Sequence, residues 1–304
     1  MTPFAIYVAE PQAINLDIVT ASLGDTPHTL IAGSPDFATN DASGCDTVLI
    51  RSGTHIDSTI AAKMPLLKRV VRVGVGLDNV DLAFCKQHNI AAYNAPGANA
   101  DAVAEYAVAV LLMAIRNIHL LTLADQQSWN RFKFMGHGIT SRTVGIVGFG
   151  HIGKLLYAKL HSLGCRNFII YDPFVTNAPQ DARMASLDEL LQHSNVISLH
   201  LPLTPETKHI INGEKLALLP EGAVLLNAAR GGIVDESALL VCTDSKHLIY
   251  IADTVEDEPH PNQALLGRQN VIITPHIASL TDDAEAAMIR VAIENLLTDK
   301  QAAI

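Results

Sequence analysis

The sequence predicts an α/β protein of two domains, each built on a parallel sheet. Three observations carry that prediction. Short apolar runs alternate with polar or helical stretches from Phe4 onward. One such run, Thr143 to Val147, leads directly into Gly148-Phe149-Gly150-His151-Ile152-Gly153 and then a helical stretch, His151 to Leu163. Finally, the chain has 304 residues, of which 49% are hydrophobic and 17% charged. That is enough length for two domains and enough apolar content to give each a core.

In chain order, Phe4–Ala9, Thr47–Arg51, Val70–Gly74 and Ile90–Tyr93 are short, mainly apolar runs of strand length, as expected for parallel strands covered on both faces. This alternation precedes the glycine motif, so the N-terminal part is expected to be a smaller, flavodoxin-like parallel α/β domain of its own. Asn94-Ala95-Pro96-Gly97 breaks the pattern. The helix that follows, Asp101 to about Asn117, is apolar nearly all round and must be buried on several sides. Beyond the glycine motif come strands at Asn167–Tyr171, Asn195–Leu199, Ala223–Asn227, Leu248–Ala252 and Val271–Ile273, with helices between. Ser186-Leu187-Asp188-Glu189 has the form of a capping box. The last helix, Asp282 to Leu297, is expected to return to the first domain. The division is therefore residues 1–97 plus 281–304 against residues 98–280, the latter a Rossmann-like doubly wound sheet. A cleft between the two is expected, since open α/β sheets bind ligands at the carboxyl ends of their strands.

The order strand, Gly148-x-Gly150-x-x-Gly153, helix is what a dinucleotide requires. The first glycine permits the tight turn, the second lets backbone approach a pyrophosphate, and the third lets the helix pack on the strand. The phosphates then meet unpaired amides at the helix N-terminus, where His151 and Ile152 form the first turn. A second apolar run ends in Asp172, 22 positions after Gly150. An acid there accepts from ribose hydroxyls and repels a 2′-phosphate, which favours NAD over NADP.

A formal charge of −10 argues against nucleic acid or an anionic membrane as partner. It leaves room for a small anionic substrate held by local arginines. Cys45, Cys85, Cys165 and Cys242 form no CxxC pair and are expected to be buried free thiols in a reducing cytosol. Met1 to Pro11 lacks the basic start and long apolar run of a signal peptide. The longest apolar stretch, Ala102 to Ile115, is broken by Glu105 and too short to span a bilayer. A cytoplasmic protein with no metal site is the expectation.

Three ionisable residues fall at or just beyond strand ends: Arg230 in Asn227-Ala228-Ala229-Arg230-Gly231-Gly232, Glu258 in Glu256-Asp257-Glu258-Pro259, and His276 in Thr274-Pro275-His276-Ile277-Ala278. Each alone is ambiguous, since a histidine after a strand, an arginine before two glycines and an acidic loop all have ordinary structural uses. Beside a dinucleotide fold they point to hydride chemistry. Hydride delivered to a ketone leaves an alkoxide that needs a proton, and histidine is suited to give one near neutral pH. A carboxylate would hold the imidazolium, and an arginine fork would grip a carboxylate and polarise the carbonyl.

These segments, the first of them continuing through Ile233-Val234-Asp235-Glu236, together with the glycine motif, Tyr171-Asp172-Pro173 and Leu199-His200-Leu201-Pro202-Leu203-Thr204-Pro205-Glu206-Thr207, resemble the D-2-hydroxyacid dehydrogenases from about Val48 to Ala278. The resemblance implies that Arg230 binds substrate, His276 is the acid/base and Glu258 its partner. It implies that Asp253 faces the nicotinamide carboxamide and that His200, Pro202 and Thr207 line the cofactor. Within the family the likeness is greatest to phosphoglycerate dehydrogenases, through Trp129-Asn130-Arg131-Phe132-Lys133-Phe134-Met135-Gly136, Val71-Arg72-Val73-Gly74-Val75-Gly76-Leu77-Asp78 and Leu49-Ile50-Arg51-Ser52. It implies a small anionic 2-hydroxy or 2-keto acid as substrate, 3-phosphoglycerate among them. The Gly74, Val75 and Gly76 amides would bind a carboxylate. Arg51, Arg72, Arg131 and Asn99 complete the expected substrate contacts, although the arginines could instead pair with surface acids.

Departures are visible. Val75 stands where phosphoglycerate enzymes carry a hydroxyl residue, and the C-terminal regulatory domain of longer members is not found before Ile304, so serine feedback is not expected. Glu258 separates the chain from formate dehydrogenase relatives, which use an amide there. The family likeness implies a homodimer through the cofactor domain. Two other readings share these motifs: a dinucleotide-sensing corepressor and a phosphite-oxidising enzyme.

Overall fold

The computed structural model describes residues 3–37, 40–122, 125, 127 and 129–302. The chain divides into two compact units, Met1–Asn99 with Leu280–Ile304, and Ala100–Ser279.

In the first unit, β1 (Phe4–Val8), β2 (His28–Ala32), β3 (Thr47–Ile50), β4 (Arg69–Arg72) and β5 (Ala91–Tyr93) form one parallel sheet in the order β2-β1-β3-β4-β5, a flavodoxin-like arrangement. Helices α1 (Leu16–Leu23), α2 (Ile60–Lys63) and α3 (Leu82–Gln87) connect the strands. Side chains alternate across the sheet, as the strand period of two requires. Tyr7, Val48, Ile50 and Val70 point to the face shared with Phe84 and Cys85. Ile6, Val8, Leu49 and Val71 point to the other, shared with Val19 and Leu23. The strand β2 has no counterpart in the sequence reading. It lies at the sheet edge with every residue at least partly exposed, so its apolar run is short and mixed.

The second unit holds β6 (Val144–Val147), β7 (Phe168–Tyr171), β8 (Ala182–Met184), β9 (Val196–Leu199), β10 (Val224–Asn227), β11 (Ile249–Ala252) and β12 (Val271–Ile273), all parallel in the order β12-β11-β10-β9-β6-β7-β8. This is the Rossmann-like doubly wound order. The direction of winding reverses at β6, between β7 and β9, and the carboxyl ends of those strands open the crevice where such sheets bind ligands. Helices α4 (Ala100–Ile115) and α5 (His151–Ser162) cover one face, where Ala104, Ala107 and Leu111 meet Val144, Ile146, Leu156 and Leu160. Helices α6 (Leu187–His193), α7 (Gly213–Leu218) and α8 (Glu236–Ser245) cover the other, around Val147, Ile197, Leu199 and Leu225. Ser186 caps α6 by accepting the Glu189 amide.

The helix α4 buries Val103, Ala107, Val110 and Ala114 and half-buries Tyr106, Val108, Leu112 and Met113, leaving Asp101, Glu105 and Ala109 exposed. It stops at Ile115, two residues short of expectation, because Asn117 takes a left-handed conformation (φ 57°). The short edge strand β8 was also not foreseen, its central residue being the exposed Arg183.

After β12 the chain returns to the first unit as α9 (Asp282–Leu297), capped by Thr281 and packed on α1. Met288, Ile289, Ala292 and Ile293 complete the core under Ile6, Val8 and Leu49.

Candidate active site

The glycine motif occupies the β6–α5 turn, and its three glycines face three different surroundings. Gly148 has φ +91°, and a Cβ there would stand 2.5 Å from the His200 carbonyl oxygen. At Gly153 a Cβ would overlap the Gly148 carbonyl oxygen and lie 3.2 Å from Ile146 Cγ2, so the helix packs on the strand only without a side chain. The Cβ position of Gly150 is open, with nothing within 4 Å. Gly150 is also the N-cap of α5 and offers no side-chain cap, which leaves the first-turn amides around His151 and Ile152 facing that open space. At the tip of β7, Asp172 accepts the Phe149 amide at 2.7 Å and the Phe174 amide at 2.8 Å, fixing its carboxylate beside the turn. An open helix N-terminus, a position clear of any Cβ and an adjacent acid together suit a dinucleotide diphosphate and its ribose.

The far side of this turn is the end of β9. The His200 ring bonds Ser198 Oγ through Nε2 at 2.9 Å, while its buried Nδ1 has no partner among the described residues. Burial pushes the His200 pKa down to about 4, so the ring is neutral. Thr207 Oγ donates to the Pro202 carbonyl at 2.6 Å and accepts the Thr204 amide at 2.8 Å. Its hydroxyl proton is therefore spent on bracing the 202–207 turn rather than offered outward.

The ionisable groups stand at the ends of β10, β11 and β12. Asp253, 2% exposed at the end of β11, receives four bonds from the segment that follows β12. Its carboxylate accepts Thr274 Oγ at 2.6 Å and the Ile277 and Ala278 amides at 2.8 Å each, and its carbonyl accepts the His276 amide at 3.0 Å. His276 itself has φ 54°, a conformation this network holds in place. Its Nδ1 lies 2.8 Å from Glu258 Oε2. The other Glu258 oxygen accepts the Val255 amide at 3.2 Å. Burial alone would raise the Glu258 carboxyl, but the His276 hydrogen bond and charge, the Val255 amide and the Arg230 guanidinium outweigh it and hold the group below its ordinary range. Arg230 reaches this neighbourhood from the end of β10. Its carbonyl accepts Asn227 Nδ2 at 2.8 Å, and its Nη1 donates to the Ala229 carbonyl at 2.7 Å. The structure thus joins His276 to Glu258 directly, and Arg230 to Glu258 through its field.

Several polar residues around this cluster were not singled out in the sequence. The Tyr106 hydroxyl of α4 lies 2.6 Å from Thr274 Oγ, and burial pushes its pKa up to about 12 against the Thr274 hydrogen bond. Glu236 and the pair His209–Glu256, 2.6 Å apart, also lie here. A lone tyrosine in an apolar helix and an acid in a first turn carry no sequence signal that separates them from ordinary packing and capping.

The remaining expected substrate contacts are divided between the units. In the first, the backbone around Arg51 is braced by Glu10, which accepts the Arg51 amide at 2.8 Å, the Gly53 amide at 3.2 Å and Thr54 Oγ at 2.7 Å. Asn79 Nδ2 donates to the Arg51 and Thr54 carbonyls. Arg51 Nη1 donates to the Ala13 carbonyl at 3.0 Å. The Arg72 guanidinium lies where a Cβ of Gly74 would be, and Gly74 has φ +154°. Of the expected three-amide cradle, the Gly74 amide is already engaged, donating to the Arg72 carbonyl at 2.9 Å. Asn99 is half-buried where the first unit ends. Arg131 is exposed in a 3-10 turn of the second unit, its guanidinium 5.1 Å from the Phe132 ring centre. Among the described residues no group of three or more His, Cys, Asp or Glu is placed to hold a metal ion.

Comparison with known proteins bears on this geometry. Residues 108–278 match the family described as D-isomer specific 2-hydroxyacid dehydrogenase, NAD binding domain. The chain is 38% identical to D-3-phosphoglycerate dehydrogenase of Mycobacterium leprae over 274 residues, which cover 87% of this chain and 51% of that protein. The chain thus spans about half the length of that relative. It is 36% identical to (S)-sulfolactate dehydrogenase of Chromohalobacter salexigens, over 84% of this chain and 85% of that one. Among solved structures, it is similar to D-lactate dehydrogenase of Aquifex aeolicus complexed with NAD and lactic acid, at a TM-score of 0.79 and 27% identity, covering 97% of this chain and 94% of that chain.

Proposed function

The chain belongs to the D-isomer specific 2-hydroxyacid dehydrogenase family, and from that premise we propose that it interconverts a 2-hydroxy acid and a 2-keto acid with NAD as cofactor. The observation that supports this most is the 2.8 Å bond between His276 Nδ1 and Glu258. It leaves Nε2 as the ring nitrogen that exchanges a proton with substrate. In the oxidising direction Nε2 takes the hydroxyl proton and Glu258 stabilises the imidazolium that results; in reduction Nε2 returns the proton to the developing alkoxide. Arg230 binds the substrate carboxylate and polarises the carbonyl oxygen. Asp253 orients the 274–278 segment on which His276 stands.

Gly148, Gly150, His151, Ile152 and Gly153 hold the diphosphate, Asp172 the adenosine ribose, and His200, Pro202, Thr207 and Asp253 line the rest. When bound, NAD supplies the nicotinamide carbon that accepts or returns hydride.

The substrate is a small 2-hydroxy acid with a second anionic group. 3-Phosphoglycerate and sulfolactate, the compounds for which two relatives are named, both fit that description. Arg51, Arg72 and Arg131 supply the positive charge, and Asn99 with the Val75 and Gly76 amides the neutral donors. The protein acts as a homodimer: Trp129, Phe132 and Met135, ahead of β6, are 86%, 71% and 75% exposed, an apolar surface suited to a second copy. Four buried free cysteines agree with a reducing cytoplasm, and no helix among the described residues is long and apolar enough to cross a membrane.

NADH consumption against a panel of 2-keto acids tests the reading. Pyruvate, hydroxypyruvate, 3-phosphohydroxypyruvate and sulfopyruvate belong in it. Turnover is expected with at least one doubly anionic member in preference to pyruvate. No turnover with any 2-keto acid would overturn the assignment.

A further inference from the structure

The loops that carry Arg230 and Glu258 are fastened to one another by groups that take no part in the chemistry above. Gly231 packs directly on the peptide joining Val255 and Glu256, where a Cβ would overlap the Val255 carbonyl and the Glu256 nitrogen. At the same place the Glu256 amide donates to Glu236 Oε1 at 3.0 Å. Glu236 is the first residue of α8, behind the N-cap Asp235. First-turn acids of helices ordinarily face water, yet Glu236 is only 3% exposed. Burial raises its carboxyl pKa, as does the nearby Glu256 charge, while the Glu256 amide works against both.

Glu256 and Tyr250 both interact with Glu236. The Glu256 carboxylate is drawn away by His209 Nε2 at 2.6 Å. The buried Tyr250 hydroxyl of β11 is close enough to feel the Glu236 charge. The His209 amide in turn donates to the Gly232 carbonyl at 2.8 Å, tying a third loop to the same point. A carboxyl held in such a place is costly unless its acceptor is used. Here the amide it receives lies beside Val255, whose own amide fixes Glu258.

We propose that Glu236 is a positioning residue, which by accepting the Glu256 amide sets the 255–258 turn against Gly231 so that Glu258 meets His276 at bonding distance. The inference rests on the proposed function for the roles of Glu258 and His276, but the contact it concerns can be read without turnover. Two variants of the full chain separate acceptor from charge. Glu236→Gln keeps an oxygen at the same reach and removes the charge. Glu236→Asp keeps the acid and withdraws the oxygen by one methylene.

The Glu258 carboxyl is followed by carbon NMR through an acid titration, its signal assigned by loss in Glu258→Gln. In Glu236→Asp the Glu258 midpoint is expected to rise toward the ordinary carboxylate range, and in Glu236→Gln to stay with wild type. If the 2-keto acid panel yields a substrate, Glu236→Asp should lower kcat by about tenfold with KM within about twofold, as for a catalytic group held slightly out of place. Glu236→Gln should retain most activity. Midpoints unchanged in both variants, or shifted equally in both, would overturn the positioning role. Because the titration needs no substrate, failure of every keto acid would count against the function and leave this result standing.

Discussion

His276 Nδ1 and Glu258 Oε2 stand 2.8 Å apart, so that Nε2 is the ring nitrogen not engaged by Glu258. His276→Ala removes the proposed proton carrier while leaving the glycine turn untouched. The expected loss in kcat is roughly 10²–10⁴-fold, with NADH binding retained by fluorescence titration. Wild-type turnover in that variant would end the acid/base assignment.

Glu258 also sets a pH dependence of stability. Its folded-state carboxyl lies below the ordinary 4.5, so the contribution is present above that value and is lost as pH falls through the lowered one. Thermal melts of wild type and Glu258→Gln should therefore converge as pH drops below about 4.5. Parallel curves through that window would show that the carboxyl is not held by its partners.

His200 acts with the same sign through a different cause. Its ring stays neutral when folded until about pH 4, whereas the ordinary value is 6.5. The unfolded chain binds that proton first, so stability is full above 6.5 and declines as pH falls toward 4. His200→Gln should flatten the melting temperature across this interval. An undiminished slope would assign the acid sensitivity to other groups.

The two later glycines of the turn should part company on substitution. Gly153→Ala drives a Cβ into the Gly148 carbonyl, and overpacking of this kind costs about 1–3 kcal/mol. Gly150→Ala meets open space at a φ of −78°, so the fold should be unaffected. NADH affinity should nonetheless fall in Gly150→Ala, because the methyl group occupies the diphosphate's approach. Calorimetric melts and NADH titrations on both variants check the pair. Equal effects on stability and affinity in both would contradict this division of labour.

Asp172→Asn tests cofactor choice. Loss of the charge that repels a 2′-phosphate should raise kcat/KM for NADPH relative to NADH by about tenfold, a charge-assisted hydrogen bond being worth about 1.5–3 kcal/mol. Unaltered discrimination would mean that another group reads the ribose.

Much of this was legible in the amino acids, for reasons specific to each element. The central strands β1, β3, β4, β6, β9 and β10 are largely buried, so they appear as predominantly apolar runs. The edge strands β2 and β8 are partly exposed and short, and their runs fall below what periodicity detects. In the candidate site, Arg230, Glu258 and His276 could be singled out because each follows a strand within a recognisable motif. Glu236 lies in the same motif as Arg230 but received no role, since an acid at the start of a helix reads as a solvated cap; only coordinates reveal that it is turned inward. The Gly74 amide failed in the opposite sense: a glycine-rich turn suggests free donors, and a local bond to the Arg72 carbonyl had already consumed one.

The return of α9 has a bearing on how the chain is made. The apolar face of β1 and β3, with Ile6, Val8 and Leu49, is completed by Met288, Ile289, Ala292 and Ile293. All of the second unit is synthesised between these two sets of residues. During translation the nucleotide-type sheet, contiguous in sequence, can close while its predecessor still lacks one layer. The first unit is thus completed only after the second has been made, and until α9 follows, the face carrying Ile6, Val8 and Leu49 is covered by α1 alone.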